Sequence, residues 1–222
     1  MKTSSCPLCA SIAVFFQEHQ GTVFYKCGGC RSVFRDSEND LTPAEEKKRY
    51  DLHCNDPTDP DYREYVSPII TAITERFKPG DRGLDFGSGP GAIVSTLLRE
   101  KGYDAASYDP FYDDNRELLS RNYDYIACSE VIEHFRSPAK EFANLRKMIK
   151  PGGALFCLTR LYEEEIDFSA WFYKNDPTHR FFYSRQALEW IKVKFDFSSL
   201  AIEGRLIVYR SLSGVVKTRQ KQ

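Results

Sequence analysis

The strongest structural signal in this 222-residue sequence is a glycine-rich segment, Leu84-Asp85-Phe86-Gly87-Ser88-Gly89-Pro90-Gly91-Ala92. The residues from Arg82 to Phe86 predict a short buried strand that runs into the glycines, and an apolar helical face follows them. Glycines between a strand and a helix allow unusual backbone angles and let a ligand lie directly against the backbone. The segment therefore predicts a ligand-binding loop at the carboxyl end of the first strand of an α/β sheet.

Strand and helix signals alternate around this loop, from Ser67 to the end of the chain. Helices are predicted to begin at Ser67-Pro68, Ser137-Pro138 and Ser184, because serine caps a helix and proline suits its first turn. An antiparallel strand pair is predicted around Glu203-Gly204. This alternation predicts an α/β fold with a mainly parallel sheet and helices on both of its faces. The predicted strands lie at 82–86, 105–108, 125–128, 154–158, 196–202 and 205–211.

The glycine loop alone leaves two cofactor classes open. Gly87-x-Gly89-x-x-Ala92 also satisfies the dinucleotide fingerprint, with Asp109 as the acid that binds the ribose, so a nicotinamide dehydrogenase is one alternative. Two features favour S-adenosylmethionine. Asp85 lies two residues before the first glycine, where an anion suits a cationic amino-acid ligand better than a pyrophosphate. The antiparallel strand pair also stands where a dinucleotide-binding fold would have a second mononucleotide-binding half.

Four motifs occur in the order and approximate spacing of one known family. They are Leu84–Ala92, Asp109, Ser129-Glu130-Val131-Ile132-Glu133-His134-Phe135, and Ile149-Lys150-Pro151-Gly152-Gly153. Over residues 67–211 the chain resembles the class I S-adenosylmethionine-dependent methyltransferases. The resemblance implies a Rossmann-like sheet of seven strands with a reversed final hairpin, and S-adenosylmethionine as the cofactor.

The resemblance also implies where the cofactor binds. Its ribose would lie on Asp109, its adenine near Phe111, and its methionine end near Asp85 and Ser129. Only a short segment joins Asp109 to the strand at Tyr125, so the usual intervening strand and its adenine-contacting acid are expected to be reduced or missing. The full set of expected cofactor contacts is Asp85, Gly87, Ser88, Gly89, Gly91, Asp109, Phe111, Ser129 and Glu130.

Two Cys-x-x-Cys pairs bracket an apolar stretch at the start of the chain. Four thiolates are the set that closes a tetrahedral structural zinc site. Short strands predicted at 13–16 and 22–25, around Gln20-Gly21, make a β-hairpin between the pairs. The segment resembles the zinc ribbons that precede methyltransferase domains in a bacterial group, and it is expected to support the fold or cap the acceptor site. The expected zinc ligands are Cys6, Cys9, Cys27 and Cys30.

Three units are expected along the chain. The zinc ribbon spans 1–36, and a charged, Pro- and Asp-rich linker over 37–66 contains a short helix at Pro43–Tyr50. The methyltransferase domain follows over 67–222. No apolar run reaches the length of a membrane span, and the first residues lack the apolar core of a signal peptide. A cytoplasmic location with reduced cysteines is therefore expected.

Two histidines are the candidate catalytic residues. Methyl transfer from a sulfonium needs alignment of the nucleophile with the methyl group, and a base only where the acceptor must lose a proton. His134 follows the third strand and should lie near the methyl group, as the first candidate base; shaping the loop by hydrogen bonds is the alternative. His179, in an aromatic-rich loop near Trp171, Phe172 and Tyr173, is the second; aromatic packing is the alternative there.

Charge and composition leave the acceptor open. Lys and Arg total 31 against 32 Asp and Glu, so the net charge of −1 gives no reason to expect a nucleic acid or a membrane surface. The first hypothesis is methyl transfer to a small-molecule or sugar-like acceptor. An RNA methyltransferase with the ribbon as RNA reader rests on Lys26, Arg31 and Arg35 alone. A cofactor-binding module without catalysis is the third hypothesis.

Overall fold

The computed structural model describes residues 2–52 and 56–213. Met1, residues 53–55 and the last residues of the predicted methyltransferase domain, from 214 onward, lie outside this part. The strands are β1 (Thr3–Ser5), β2 (Ile12–His19), β3 (Thr22–Cys27), β4 (Val33–Arg35), β5 (Arg82–Phe86), β6 (Asp104–Tyr108), β7 (Tyr123–Ser129), β8 (Ile149–Leu158), β9 (Phe181–Phe182), β10 (Phe197–Glu203) and β11 (Leu206–Ser211). The helices are α1 (Pro43–Tyr50), α2 (Pro60–Thr74), α3 (Ile93–Glu100), α4 (Pro138–Met148) and α5 (Arg185–Lys194).

The larger sheet has six strands in the order β10-β11-β8-β7-β5-β6. Neighbouring strands from β6 to β8 are parallel, whereas β11 lies antiparallel to both β8 and β10. A parallel group that ends in a reversed hairpin is the arrangement that the resemblance implies. The α/β class and the antiparallel pair at the end of the sheet are confirmed.

The seventh strand that the resemblance implies is absent from the described residues. Between Tyr108 and Tyr123 the chain makes a turn in which Asp109 pairs with Asp113, and a 3-10 helix over Arg116–Ser120 follows. Another parallel strand would need a crossover of about a dozen or more residues. The segment is too short for a crossover and a strand, so β6 forms the edge of the sheet. The short segment between Asp109 and Tyr125 predicts this missing strand.

Four helices cover the two faces of this sheet. α2 and α3 pack on one face, where Leu98 belongs to the same buried cluster as Tyr125. α4 and α5 pack on the other face, where Phe142 and Ile191 share a cluster with Ile126. Tyr125 and Ile126 are consecutive on β7 and therefore point to opposite faces. In the described part of the chain, no helix is both long and apolar enough to cross a membrane.

The predicted start of α2 at Ser67-Pro68 is wrong. The helix begins at Pro60 with Asp59 as its N-cap, whose side chain accepts a hydrogen bond from the backbone N–H of Asp61. Pro68 lies inside the helix. Both Asp59-Pro60 and Ser67-Pro68 carry the signature of a helix start, because each places a capping side chain before a proline. Burial of Val66 shows that the turns before Ser67 already belong to the core-facing helix.

The smaller sheet contains the predicted ribbon and one strand from far along the chain. β2 and β3 form the predicted hairpin around Gln20-Gly21. The strand order is β1-β2-β3-β4-β9, so Phe181 pairs with Phe34 of the ribbon. Ser184 adds two hydrogen bonds, from its N–H to Ser32 Oγ at 3.0 Å and from its hydroxyl to the Cys30 carbonyl at 2.5 Å. The ribbon is therefore built into the rest of the molecule, and its boundary near residue 36 stays a prediction.

Candidate active site

A cavity of about 1130 Å³ opens at the carboxyl ends of β5, β6 and β7. Helix α1, from the segment predicted as a linker, forms one wall through Glu46, Arg49 and Tyr50. Asp85 and Gly91 of the expected contacts do not line this cavity. Nine of the residues expected to bind cofactor or act in catalysis do, namely Gly87, Ser88, Gly89, Asp109, Phe111, Ser129, Glu130, His134 and His179.

The glycine loop needs its glycines for both conformation and space. Gly87 and Gly89 have φ values of +74° and +63°, in the left-handed region that side chains disfavour. A Cβ on Gly87 would also lie 2.7 Å from Cγ2 of Val131. The N–H groups of Gly87 and Ser88 both donate to the Tyr108 carbonyl, at 2.8 and 3.1 Å. The loop is thus fixed against the end of β6 and leaves its other side open to the cavity.

Asp109 is held at the end of β6 by backbone donors. Its Oδ2 accepts from the N–H of Gly89 at 2.9 Å, and its Oδ1 accepts from the N–H groups of Phe111 and Tyr112 at 2.8 and 3.2 Å. The side chain is nearly buried. Since each carboxylate oxygen has further acceptor capacity, this fixed carboxylate can also take hydroxyl groups of a ligand in the cavity.

Asp85 lies behind the loop rather than in it. Its Oδ2 accepts from the N–H of Ser95 at 2.9 Å, which satisfies a free donor in the first turn of α3. Burial raises the pKa of this carboxyl to about 6. Burial raises the pKa of Tyr62, which lines the cavity, and the nearby charge of Asp85 adds to the shift. The structure thus gives Asp85 a capping role, and its contact with the cofactor stays a prediction.

The two candidate histidines meet at the other end of the cavity. Their ring centroids lie 4.9 Å apart, and Tyr50 of α1 contacts the His134 ring edge-on. His134 Nδ1 lies 3.1 Å from the Thr178 carbonyl oxygen, and His179 Nδ1 lies 2.7 Å from the Tyr173 carbonyl oxygen. Helix α4 and strand β8 separate these histidines in the sequence, and the fold brings them together.

Two glutamates, one buried and one half-buried, lie beside the histidine pair. Glu133 is fully buried and accepts a hydrogen bond from the Tyr173 hydroxyl, whereas Glu130 lies 3.2 Å from Arg205 and 3.3 Å from Tyr173. Burial raises the pKa of each carboxyl to about 7, and the charge of Glu133 contributes to the shift at Glu130. Sequence reasoning gave no role to Glu133 itself. The one sequence feature that could have indicated a role for Glu133 is its position next to His134 in the third motif.

The ribbon holds the loop that carries His179. Arg35 in β4 donates from its guanidinium to the Pro177 carbonyl and from its backbone N–H to the Arg180 carbonyl, the latter at 3.0 Å. The N–H of Arg180 donates to the Glu133 carbonyl at 2.8 Å, and its side chain pairs with Asp40. These contacts fasten both sides of His179 to the ribbon and to the 3-10 turn that follows β7.

Helix α1 adds a second tether to the same loop. Arg49 pairs with Asp176 at 2.9 Å, and the N–H of Thr178 donates to the other oxygen of that carboxylate at the same distance. These hydrogen bonds and the nearby His179 hold the pKa of Asp176 well below its usual range. Sequence reasoning found α1 but missed its role in the cavity. A single aromatic residue at the end of a charged helix is too weak a signal for a cavity wall.

The four ribbon cysteines are spaced as a zinc site requires. The sulfur atoms of Cys6 and Cys30 lie 3.7 Å apart, and those of Cys9 and Cys27 lie 3.4 Å apart. Four Zn–S bonds of about 2.3 Å in a tetrahedron place neighbouring sulfurs about 3.8 Å apart. All four sulfurs lie within 4.8 Å of one another. The donor set and the spacing therefore both fit a structural zinc ion.

The sheet order, the glycine loop and the acid after β6 together define a Rossmann-like protein of the class I methyltransferase architecture. A family model described as "Methyltransferase domain" matches residues 60–202. The chain belongs to this methyltransferase domain family. The match begins at the first residue of α2 as the structure has it.

Sequence relatives and solved structures agree with this assignment. The ubiquinone biosynthesis O-methyltransferase of Sodalis glossinidius is 31% identical over 77 residues, which are 35% of this chain and 31% of that protein. The corresponding protein of Pseudomonas syringae pv. syringae is 30% identical over 35% of this chain and 33% of its own length. The match thus spans about a third of the length of these curated relatives.

Two solved structures share the fold at low sequence identity. A SAM-dependent methyltransferase from Archaeoglobus fulgidus has a TM-score of 0.51 and 22% identity, over 64% of this chain and 72% of that one. Human N-acetylserotonin methyltransferase, in complex with SAM, has a TM-score of 0.54 and 12% identity, over 76% of this chain and 57% of that one. At identities this low, the TM-scores establish a common fold.

Proposed function

We propose that this chain transfers a methyl group from S-adenosylmethionine to a hydroxyl of a small-molecule or sugar-like acceptor. The observation that carries the proposal is the single cavity that reaches from the glycine loop to the histidine pair. Pockets for one ligand are typically about 300–1,000 Å³, so a cavity of about 1130 Å³ has room for a cofactor and a small acceptor. The names of the sequence relatives, O-methyltransferases, support a hydroxyl as the acceptor group.

The cofactor residues of this proposal are those that the sequence indicates. Asp109 would take the ribose hydroxyls, Phe111 would lie near the adenine, and Ser129 and Glu130 would lie near the methionine end. Gly87 to Gly91 would let the cofactor lie against the backbone. The sulfonium supplies an activated methyl group, so the chain's own work is to align the acceptor oxygen with it. His134 and His179 lie where the acceptor would bind.

Charge on the ribbon supports a small acceptor over RNA. Two of the three basic residues on which an RNA reader would rest are paired within the molecule. Lys26 lies 3.3 Å from Glu164, and Arg31 forms an ion pair with the same carboxylate. The guanidinium of the third, Arg35, is bonded to the Pro177 carbonyl. Neutralised or bonded cations have less to offer to phosphates, so the ribbon is better suited to an internal structural role.

Two measurements test the proposal, first binding of the cofactor product and then methyl transfer. We expect S-adenosylhomocysteine to bind at micromolar concentration in a calorimetric titration, and transfer of a labelled methyl group to at least one phenol, catechol or sugar in a panel of acceptors. Absence of S-adenosylhomocysteine binding would overturn the proposal. Binding without transfer to any acceptor would favour the non-catalytic module.

The Asp85→Asn substitution should separate helix capping from cofactor binding. The amide oxygen can still accept from Ser95, and the cost of burying a charge disappears, so the melting temperature should not fall. The affinity for S-adenosylhomocysteine should fall about tenfold or more, because the ammonium group of the ligand loses its counter-charge. Calorimetric titration and thermal unfolding measure the two effects. An unchanged affinity would remove Asp85 from the cofactor site.

We propose zinc as the metal of the ribbon, and support of the His179 loop as its purpose. Arg35, Ser32 and the Cys30 carbonyl all bond the segment from Pro177 to Ser184. Bound metal would fold a segment too small to hold itself together. The thiols must stay reduced to bind zinc, which supports the cytoplasmic location that the sequence predicts.

A further inference from the structure

A second group of metal-ligating side chains lies at the histidine end of the cavity. One nitrogen of His134, one nitrogen of His179 and one carboxylate oxygen of Glu133 lie within 4.8 Å of one another. Glu133 and His179 are buried, and both histidines line the cavity. Metal bonds of about 2.0–2.2 Å place ligand atoms about 3–3.5 Å apart, so small side-chain rotations would bring the three atoms to that spacing.

The backbone sets the tautomer of both imidazole rings. A carbonyl oxygen only accepts hydrogen bonds, so the Nδ1 atoms that face the Thr178 and Tyr173 carbonyls carry the hydrogen. In a neutral ring the lone pair then lies on Nε2. A ligating histidine characteristically donates its other N–H to a backbone carbonyl or a carboxylate, which orients the ring and raises its basicity. His134 and His179 both have this support.

Glu133 provides an independent observation. One of its carboxylate oxygens accepts from the Tyr173 hydroxyl, whereas the buried Oε2 has no hydrogen-bond partner among the described residues. The side chain is 0% exposed. A buried acceptor atom without a partner is destabilising, and a bound cation would remove that cost. The hydrogen bond to Tyr173 orients the carboxylate in the way that supporting residues orient metal ligands.

We propose that Glu133, His134 and His179 form a binding site for a divalent first-row transition metal ion, such as zinc or iron(II). Two imidazoles and one carboxylate are a donor set for such ions, whereas magnesium and calcium prefer oxygen ligands throughout. Three protein ligands leave coordination positions open. Because both histidines line the cavity, the hydroxyl of an acceptor bound there could occupy one of these positions. The two histidines are then ligands rather than the general base that the sequence predicts.

Metal content of the purified full-length chain tests the site directly. After incubation with excess Zn²⁺ and removal of free ions, we expect two zinc ions per chain, one at the cysteines and one here. Co²⁺ added to protein that holds only the ribbon zinc should give weak visible bands without thiolate charge transfer, because this site has no sulfur. One metal ion per chain, with no Co²⁺ spectrum of this type, would overturn the proposal.

Substitutions assign the second ion to these residues. His179→Ala and His134→Ala should each weaken Co²⁺ binding more than about tenfold, and His19→Ala at the end of β2 should leave it unchanged. S-adenosylhomocysteine titration and thermal unfolding verify that each variant is folded, and His179→Gln replaces His179→Ala if that variant does not fold. Undiminished Co²⁺ binding in folded variants would overturn the assignment. The metal measurements need no cofactor, so their outcome is independent of whether the protein transfers a methyl group.

Discussion

Cys27→Ser is expected to abolish methyl transfer while the affinity for S-adenosylhomocysteine changes by less than about threefold. The substitution removes one zinc ligand, and structural zinc supplies about 10–16 kcal/mol to folding in zinc-finger peptides. Without it the ribbon should lose β4, and with β4 the pairing of Val33 and Phe34 to β9. The bonds from Arg35 to Pro177 and Arg180 are then lost as well, so His179 is no longer held beside His134.

The hydrogen bonds that fix the glycine loop, at the other end of the cavity, do not involve the ribbon. Gly87, Gly89 and Asp109 are fixed to one another and to Tyr108 within the large sheet. The buried cluster between that sheet and α2 and α3 contains no ribbon residue, whereas the cluster on the opposite face includes Cys27 and Phe34. A variant with a disordered ribbon can therefore still present the cofactor loop. The expected signature is a fall in kcat with cofactor binding intact.

Three measurements decide this prediction. Zinc content should fall in Cys27→Ser, the melting temperature should fall, and turnover should drop at least about a hundredfold relative to wild type. The matched control is His19→Ala, which changes the same hairpin away from the sulfurs and should leave all three nearly unchanged. Near-normal turnover in a zinc-free Cys27→Ser protein would contradict the role of the ribbon as support for the loop.

Local patterns in the sequence predicted most of the large sheet. Strands β5, β7 and β8 are apolar runs bounded by turn residues, and helices such as the one after Ser184 carry clear capping signals. The predicted start of α2 is misplaced because two capping side chains stand before prolines that are eight residues apart. Sequence pattern could not decide between them, since burial of Val66 against the sheet settles the choice.

Long-range contacts explain what sequence could not predict. β9 has two residues, Phe181 and Phe182, which is too short a run to stand out, and its partner β4 lies about 150 residues away in the sequence. The same holds for the site. Each histidine was identified singly, yet their approach and the burial of Glu133 close to them depend on the loop that β4 holds. Motifs therefore located the glycine loop at one end of the cavity, and they located its histidine end only in part.

Asp109→Ala is expected to weaken S-adenosylhomocysteine binding more than about a hundredfold. Hydrogen bonds to a charged group contribute about 1.5–3 kcal/mol each, and loss of two from the ribose hydroxyls corresponds to a factor of about 100 or more. The substitution also releases the N–H groups of Gly89, Phe111 and Tyr112, which the carboxylate now holds at the cavity. Both effects weaken binding, so calorimetric titration should show them together.

Asp113→Ala is the matched control for this substitution. Asp113 lies on the same turn, pairs with Asp109 through backbone hydrogen bonds and accepts from the Ser107 hydroxyl at 2.8 Å, but its side chain is exposed and does not line the cavity. Its removal should change the affinity by less than about threefold. Equal losses in the two variants would mean that the turn as a whole sets the affinity. A loss confined to Asp109→Ala, with the melting temperature of both variants alike, assigns the ribose contact to the Asp109 carboxylate.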